Sequence, residues 1–304
     1  MLAIPLVLEG EILMNPSYRC VAKIAFFCAL LSFVGLKVQA QTYVFGTASY
    51  SAPGVNNAVS PPQGNLPIAT ADFNGDGIPD TAILGTTSAG QTLSIFLGRS
   101  DGSLGSREDY SVQADGFTIG DFNGDGKLDV ITVSSIYSPS ASIFWGNGDG
   151  TLQAPLPLNQ IIGNGYSTVA SGDFNGDGKL DLVLLTPNFG SGATMAILLG
   201  DGDGTFQTPI TYSVPVAPYL VVGDFNHDDK LDIAVSGNGE VSILINNGDG
   251  TFKSPTNYSI VGNVQGLAAA DLNADGKLDL VVPSGGTSAT ISVLLGNGDG
   301  NQKC

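Results

Sequence analysis

From about residue 42 onward, short apolar runs are broken at near-regular intervals by Gly, Asp and Asn clusters. The stretch 167–213 shows the pattern clearly. Residues 167–172 (STVASG) lead into an acidic loop, 182–186 (LVLLT) and 193–199 (ATMAILL) are apolar, and 206–213 (FQTPITYS) is half polar. Asn188 to Gly192 separates the two apolar runs with turn residues. No helical period runs through these segments, so the stretch predicts four short strands. The inner two are apolar on both faces and must be covered on both. The last carries the polar residues, and Pro209 suits it to a sheet edge.

This unit recurs. One motif reads DFNGDGIPD from Asp72, DFNGDGKLD from Asp121, DFNGDGKLD from Asp173, DFNHDDKLD from Asp224 and DLNADGKLD from Asp271, at spacings of 49, 52, 51 and 47 residues. A second follows each time: LGRSDGSL at Leu97, WGNGDGTL at Trp145, LGDGDGTF at Leu199, INNGDGTF at Ile245 and LGNGDGNQ at Leu295. A four-stranded unit of this size cannot cover both its own faces, whereas copies stacked around an axis can. The expected fold is therefore all-β, a β-propeller of about five four-stranded blades. A β-sandwich, the alternative, demands no fifty-residue period.

In the first motif Asp, Asn and Asp stand at positions 1, 3 and 5, Gly at 6 and Asp at 9. Side chains at alternate positions of a curled loop converge, Gly at 6 allows a positive φ, and position 7 can offer its carbonyl. Hard oxygen donors in this number suit Ca²⁺, whereas zinc would need thiols or imidazoles. An EF-hand would place Glu at position 12 between helices. Here position 12 is Ile83, Thr132, Leu184, Val235 or Val282, each in a strand-like run. The loop is thus expected inside a β-hairpin, closed by the Asp at position 9. The metal-free alternative is a set of Asx-rich turns. Ala274, at position 4 of the fifth loop, is expected to matter little because that side chain points away. The Gly-Asp-Gly of the second motif reads as a tight turn between the third and fourth strands. Asp149, Asp203, Asp249 and Asp299 are secondary candidates for a cation.

Charge sharpens this reading. The chain of 304 residues carries 28 acidic and 11 basic side chains, a net charge of −17. That balance excludes a nucleic-acid binder, which needs a basic footprint. The single histidine, His227, lies inside the fourth loop and excludes most histidine-dependent catalysis. Arg19 and Lys23 precede an apolar run from Ile24 to Leu36, followed by Val38, Gln39 and Ala40. These are the parts of a signal peptide spanning 1–40, with export expected and a mature region of 41–304. The run is short for a membrane span. Met14 is an alternative start. Cleavage would remove Cys20 and Cys28 and leave Cys304 alone, so no internal disulfide is possible. The mature region would hold 8 basic and 26 acidic groups, a net charge of −18.

Together, DFNGDGKLDL and the following LGNGDGTF resemble the FG-GAP/VCBS-like repeat family, the propeller repeats of integrin α-subunits and of exported bacterial proteins. The resemblance covers about residues 42–300. It lacks the Gly-Ala-Pro that follows the loop in integrins, so it is to the bacterial variant. It implies a propeller, usually seven-bladed, with Ca²⁺ in hairpin loops on one face. The implied side-chain ligands are Asp72, Asn74, Asp76 and Asp80; Asp121, Asn123, Asp125 and Asp129; Asp173, Asn175, Asp177 and Asp181; Asp224, Asn226, Asp228 and Asp232; and Asp271, Asn273, Asp275 and Asp279. The position-7 carbonyls belong to Ile78, Lys127, Lys179, Lys230 and Lys277. Five loops leave two expectations open: a closed five-bladed ring, with 43–66 supplying an outer strand, or a fragment lacking about two blades, which is favoured.

The expected role is a non-catalytic binding or adhesion module outside the cell, with a glycan or protein partner, no nucleic acid and no membrane span after cleavage. Tyr50, Tyr110, Tyr137, Tyr166 and Tyr219 could stack on sugars but read more simply as strand residues. A polysaccharide-degrading enzyme, or its accessory propeller, is one alternative. A structural spacer of a larger surface protein is another. Glu108, Asp109, Asp115 and Glu240 are the few carboxylates outside the two motifs, and they form no catalytic pattern.

Overall fold

Alternating burial and turn chemistry resolve into five antiparallel sheets. The structure is a computed structural model. It describes residues 68–303 apart from 88–89, 136–140, 159–167, 188–191, 215–218 and 286–289. The signal segment, the proposed strand at 43–66, the three cysteines, Tyr50, Tyr137 and Tyr166 lie outside the described residues. Among the described residues no helix is long and apolar enough to cross a membrane.

Sheet 1 contains β1 (Ile68–Ala71), β2 (Asp80–Thr87), β3 (Gly90–Gly98) and β4 (Leu104–Ser111). Sheet 2 contains β5 (Gly116–Gly120), β6 (Asp129–Val133), β7 (Ala141–Phe144) and β8 (Leu156–Pro157). Sheet 3 contains β9 (Thr168–Gly172), β10 (Asp181–Pro187), β11 (Ala193–Leu198) and β12 (Ile210–Val214). Sheet 4 contains β13 (Tyr219–Gly223), β14 (Asp232–Gly237), β15 (Glu240–Leu244) and β16 (Thr256–Ser259). Sheet 5 contains β17 (Asn263–Val264), β18 (Ala268–Ala270), β19 (Asp279–Gly285), β20 (Thr290–Gly296) and β21 (Gln302–Lys303). In each sheet, strands consecutive in the chain lie side by side, except that β17 and β18 both pair with β19.

Two details differ from the sequence reading. The last strand of sheet 3 starts at Ile210, after Pro209, and Phe206 forms only an isolated bridge with Gly200. Proline has no N–H to give a ladder, so pairing begins beyond it. In sheet 5 the first strand is split. Val264 faces Ser284 and Ala268 faces Val281, so three residues oppose two around Pro283. The missing N–H at Pro283 interrupts the ladder there.

The inner strands of sheets 2, 3 and 4 are apolar on both faces because a neighbouring sheet covers each face. In β10, Leu182, Val183, Leu184 and Leu185 are all fully buried. Leu182 and Leu184 pack in a cluster with Ile131 and Ile143 of sheet 2, whereas Val183 and Leu185 pack with Ile233 and Val235 of sheet 4. Similar clusters join sheets 1 and 2 and sheets 4 and 5. Burying each such side chain stabilises by about 1.5–3 kcal/mol. The cores therefore lie between sheets, and consecutive repeats fold against one another.

Candidate functional site

In sheets 1–4 the acidic loop joins the first strand to the second, and in sheet 5 it joins β18 to β19; the turn of the second motif joins the last two strands of every sheet, so both motifs sit at the same end. The loop is a hairpin connection, as its strand-like flanks predict.

Position 1 organises the loop. In the third copy, Asp173 Oδ1 accepts from the N–H groups of Gly176 (2.7 Å) and Asp177 (3.2 Å), and Oδ2 accepts from Gly178 (2.8 Å). Asn175 Oδ1 accepts from Asp177 N–H at 2.9 Å, and Asp177 Oδ1 accepts from Lys179 N–H at 2.9 Å. Position 7 thus meets position 5 through its amide. The same bonds from positions 1, 3 and 5 curl the loops of Asp72, Asp121 and Asp224. They recur at Asp271, where the bonds to the amides at positions 5 and 6 are present.

Position 9 does a different task. Asp80, Asp129, Asp181, Asp232 and Asp279 are all 0 % exposed. Asp181 Oδ2 accepts from Phe174 N–H and Oδ1 from Gly200 N–H, each at 2.8 Å. Asp80 holds Phe73 and Gly98 in the same way, Asp129 holds Phe122 and Gly146, Asp232 holds Phe225 and Asn246, and Asp279 holds Leu272 and Gly296. This carboxylate pins the acidic loop to the start of the second motif.

The charges of a loop lie close together. Burial is the main cause that pushes the Asp129, Asp181 and Asp232 carboxyls above the ordinary carboxylate range, and the amide bonds oppose it. Asp125 and Asp121 push Asp129 further up, Asp177 and Asp173 do so to Asp181, and Asp228 and Asp224 to Asp232. Among the described residues no group of three or more His, Cys, Asp or Glu side chains stands assembled as a metal cage. The donor set nevertheless fits a hard cation. It is all oxygen, its carboxylates repel one another, and each oxygen bonded to a single amide, such as Asp173 Oδ2, Asn175 Oδ1 and Asp177 Oδ1, keeps a further lone pair.

Position 4 corrects one expectation. A Cβ on Gly75 or Gly176 would meet open space, so a side chain there does point away. The backbone is left-handed, however: φ is 73° at Gly75, 64° at His227 and 59° at Ala274. Position 6 is the same, and Asp229 sits there at φ 63°. An L-residue in this region costs about 1–2 kcal/mol, less for Asp and Asn. Ala274→Gly is therefore expected to stabilise the chain by about 1 kcal/mol. Equal urea midpoints for variant and parent would refute this. His227 itself is exposed, as a plain loop residue would be.

The second motif is a turn, and it also locks neighbouring sheets together. Asp149, Asp203 and Asp249 accept from both the amide and the hydroxyl of Thr151, Thr205 and Thr251, which lowers their pKa values. Asp299 accepts from Asn301 N–H. The glycine beside each Asp reaches back to the preceding sheet. Gly150, Gly204, Gly250 and Gly300 donate to the carbonyls of Phe73, Phe122, Phe174 and Phe225 at 2.9–3.2 Å. A Cβ on Gly204 would lie 2.1 Å from the Trp145 ring, so only glycine seats there.

Sequence reasoning missed a second strut. Tyr110, Tyr212 and Tyr258 use their hydroxyls to accept the N–H groups of Leu152, Phe252 and Gln302 in the next sheet. Each Tyr stands twelve residues after the residue that its own sheet's buried Asp holds, and that spacing was a readable signal. Tyr110 is thus a packing residue, edge-on to Phe144 at 6.0 Å. Tyr219 lies in β13 against the sheet 4–5 core. The carboxylates outside the motifs are scattered. Asp109 pairs with Arg107 in β4, Asp115 accepts from Ser135, and Glu240 opens β15.

The profile described as FG-GAP-like repeat matches residues 72–132, 121–184, 173–235 and 224–282. No curated protein sequence matches the chain. Among solved structures, an Agrocybe aegerita lectin described as recognising non-reducing terminal N-acetylglucosamine is similar at TM-score 0.54 and 20% identity, over 79% of this chain and 65% of that one. The V. cholerae biofilm matrix protein Bap1 is similar at TM-score 0.46 and 19% identity, over 84% of this chain and 41% of that one. The chain thus spans less than two thirds of the length of either.

Proposed function

The chain belongs to the FG-GAP-like repeat family, and on that premise we propose that it is an exported, calcium-binding β-propeller serving as a non-catalytic binding or adhesion module for a glycan or protein. One observation carries the reading. Five sheets present the same exposed acidic loop beside the same turn at the same end. Such repetition supports many weak contacts with a repetitive ligand, where avidity exceeds any one contact. Of the carboxylates outside the motifs, Asp109 pairs with Arg107 and Ser94 and Asp115 with Ser135, while Glu240 lies away in sheet 4, and this supports binding over catalysis.

In each loop the oxygens of positions 1, 3 and 5 and the carbonyl of position 7 would hold Ca²⁺, with the position-9 Asp lending its charge from below. The ion would neutralise the crowded carboxylates and cross-link a loop that has no disulfide to hold it. The protein residues do the rest: the position-1 Asp orders the amides, and the buried Asp anchors the loop to its turn.

The lectin among the similar structures supplies the class to screen first, glycans ending in N-acetylglucosamine. The purified chain is expected to bind members of a glycan array in calcium and to lose them in chelator. A blank array together with a specific protein captured from the native surroundings would turn the reading to a protein adhesin. Turnover of polysaccharide would overturn it.

A further inference from the structure

The interlock between neighbouring sheets is built four times, and its two halves recur unmatched at the ends of the row. In sheets 1–4 the loop Phe that faces the next sheet is 1–3 % exposed. Its counterpart in sheet 5, Leu272, is 50 % exposed. Leu93 of sheet 1 and Met195 of sheet 3 are buried by the sheet that follows. Their counterpart Ile291, opposite Pro283, is 62 % exposed. The face of sheet 5 that corresponds to these seams is thus apolar and exposed. Among the described residues no turn glycine donates to the Leu272 carbonyl.

The missing half is on sheet 1. Gly102 is the turn glycine there, and a Cβ on it would meet nothing within 4 Å. A Cβ on Gly150, Gly204, Gly250 or Gly300 would lie 2.1–2.7 Å from the preceding sheet's Leu97, Trp145, Leu199 or Ile245. Ile68, which corresponds to Phe117 at the sheet 1–2 seam, is 62 % exposed. Charge agrees. Where the other turns carry Asn147, Asp201, Asn247 and Asn297, sheet 1 carries Arg99. Inside the row this turn touches the preceding acidic loop, as a Cβ on Gly124 would lie 3.4 Å from the Gly202 carbonyl. With Asp101 beside it, Arg99 leaves the sheet 1 turn neutral where the others are negative, so this turn meets the acidic loop Asp271–Asp279 of sheet 5 with less repulsion.

We propose that copies of this chain associate head to tail, with sheet 1 of one copy seating its Gly102 turn on Leu272 and Ile291 of the next. The surface is the continuation of the four seams already inside the chain. The contact is heterologous, so it propagates unless its rotation closes a ring.

Sedimentation velocity of the full chain over a concentration series tests this, with Ile68→Arg blocking the head and Ile291→Arg the tail. Both positions are exposed, and unchanged melting temperatures would verify folding. The parent is expected to grow in mass with concentration, and each variant alone to stay monomeric. An equimolar mixture of the two variants is expected to stop at a dimer, since one retains a free tail and the other a free head. Three results would overturn the proposal: a parent monomeric at every concentration, as closure within one chain would give; a mixture that fails to pair; or self-association abolished by Ile291→Arg but untouched by Ile68→Arg, which means that the tail face pairs with itself.

Discussion

Calcium is expected to raise the unfolding temperature of the purified chain by on the order of 20 °C over the value in chelator. Sites of this kind outside cells have dissociation constants near 10⁻⁴–10⁻³ M. At tenfold excess each independent site adds about 1.4 kcal/mol, and five add roughly 7 kcal/mol. Net domain stabilities are only about 5–15 kcal/mol, so the ions would supply a large part of the whole. The electrostatic cause lies in the loops. Asp121, Asp125 and Asp129 push against one another, as do their counterparts in the third and fourth loops. Five Ca²⁺ would bring the charge of residues 41–304 from −18 to about −8. The fourth loop, with His227 and Asp229 both left-handed, is expected to be the weakest site. Scanning calorimetry with calcium and with chelator measures the shift. Identical melting curves would sink the calcium reading. A shift accompanied by a broad, non-cooperative melt would retain the sites and reject a single folding unit.

Asp181→Ala is expected to destabilise the chain by about 3–5 kcal/mol, with or without calcium. The side chain is fully buried in the central sheet and satisfies the amides of Phe174 and Gly200. Truncation leaves two buried N–H groups without an acceptor, each costing about 1–3 kcal/mol. It also frees the loop from the turn, and through Phe174 weakens the seam with sheet 4, where Gly250 bonds the Phe174 carbonyl. Asp177→Ala makes the contrast, since its carboxylate is at the surface and accepts the exposed Lys179 amide. Its cost is expected mainly in calcium, and to exceed that of Gly176→Ala there. Urea unfolding of these variants in both conditions separates the roles. An Asp181→Ala loss that vanishes in chelator would show that the residue acts only through the metal.

Much of the fold was legible because its signals are local. The apolar runs 182–186 and 193–199 fall within β10 and at β11, and the residues at position 12 lie in second strands. The motif period named five units, and five sheets formed. Gly-Asp-Gly reads as a turn from residue chemistry alone, and it is one. The start of β12 after Pro209 and the split opposite Pro283 were not legible. Which amide a proline removes from a ladder depends on register, and register depends on partners.

The sequence by itself determined the repeat, the strands, the hairpin loops and the concentration of negative charge in them. Each follows from residues within one repeat, where period, turn propensity and charge act over a few positions. Only the tertiary structure decided how one repeat grips the next. Gly204 must be glycine because Trp145, fifty-nine residues earlier, fills the space a Cβ would need. Tyr110 is a strut because Leu152 of another sheet brings it an amide. Asp181 is buried because the loop and the turn, brought together at one end of the sheet, both donate amides to it. Leu272 stays uncovered although it sits in the same motif as four buried phenylalanines. Burial belongs to the neighbour that a face meets, and a local pattern cannot specify that neighbour.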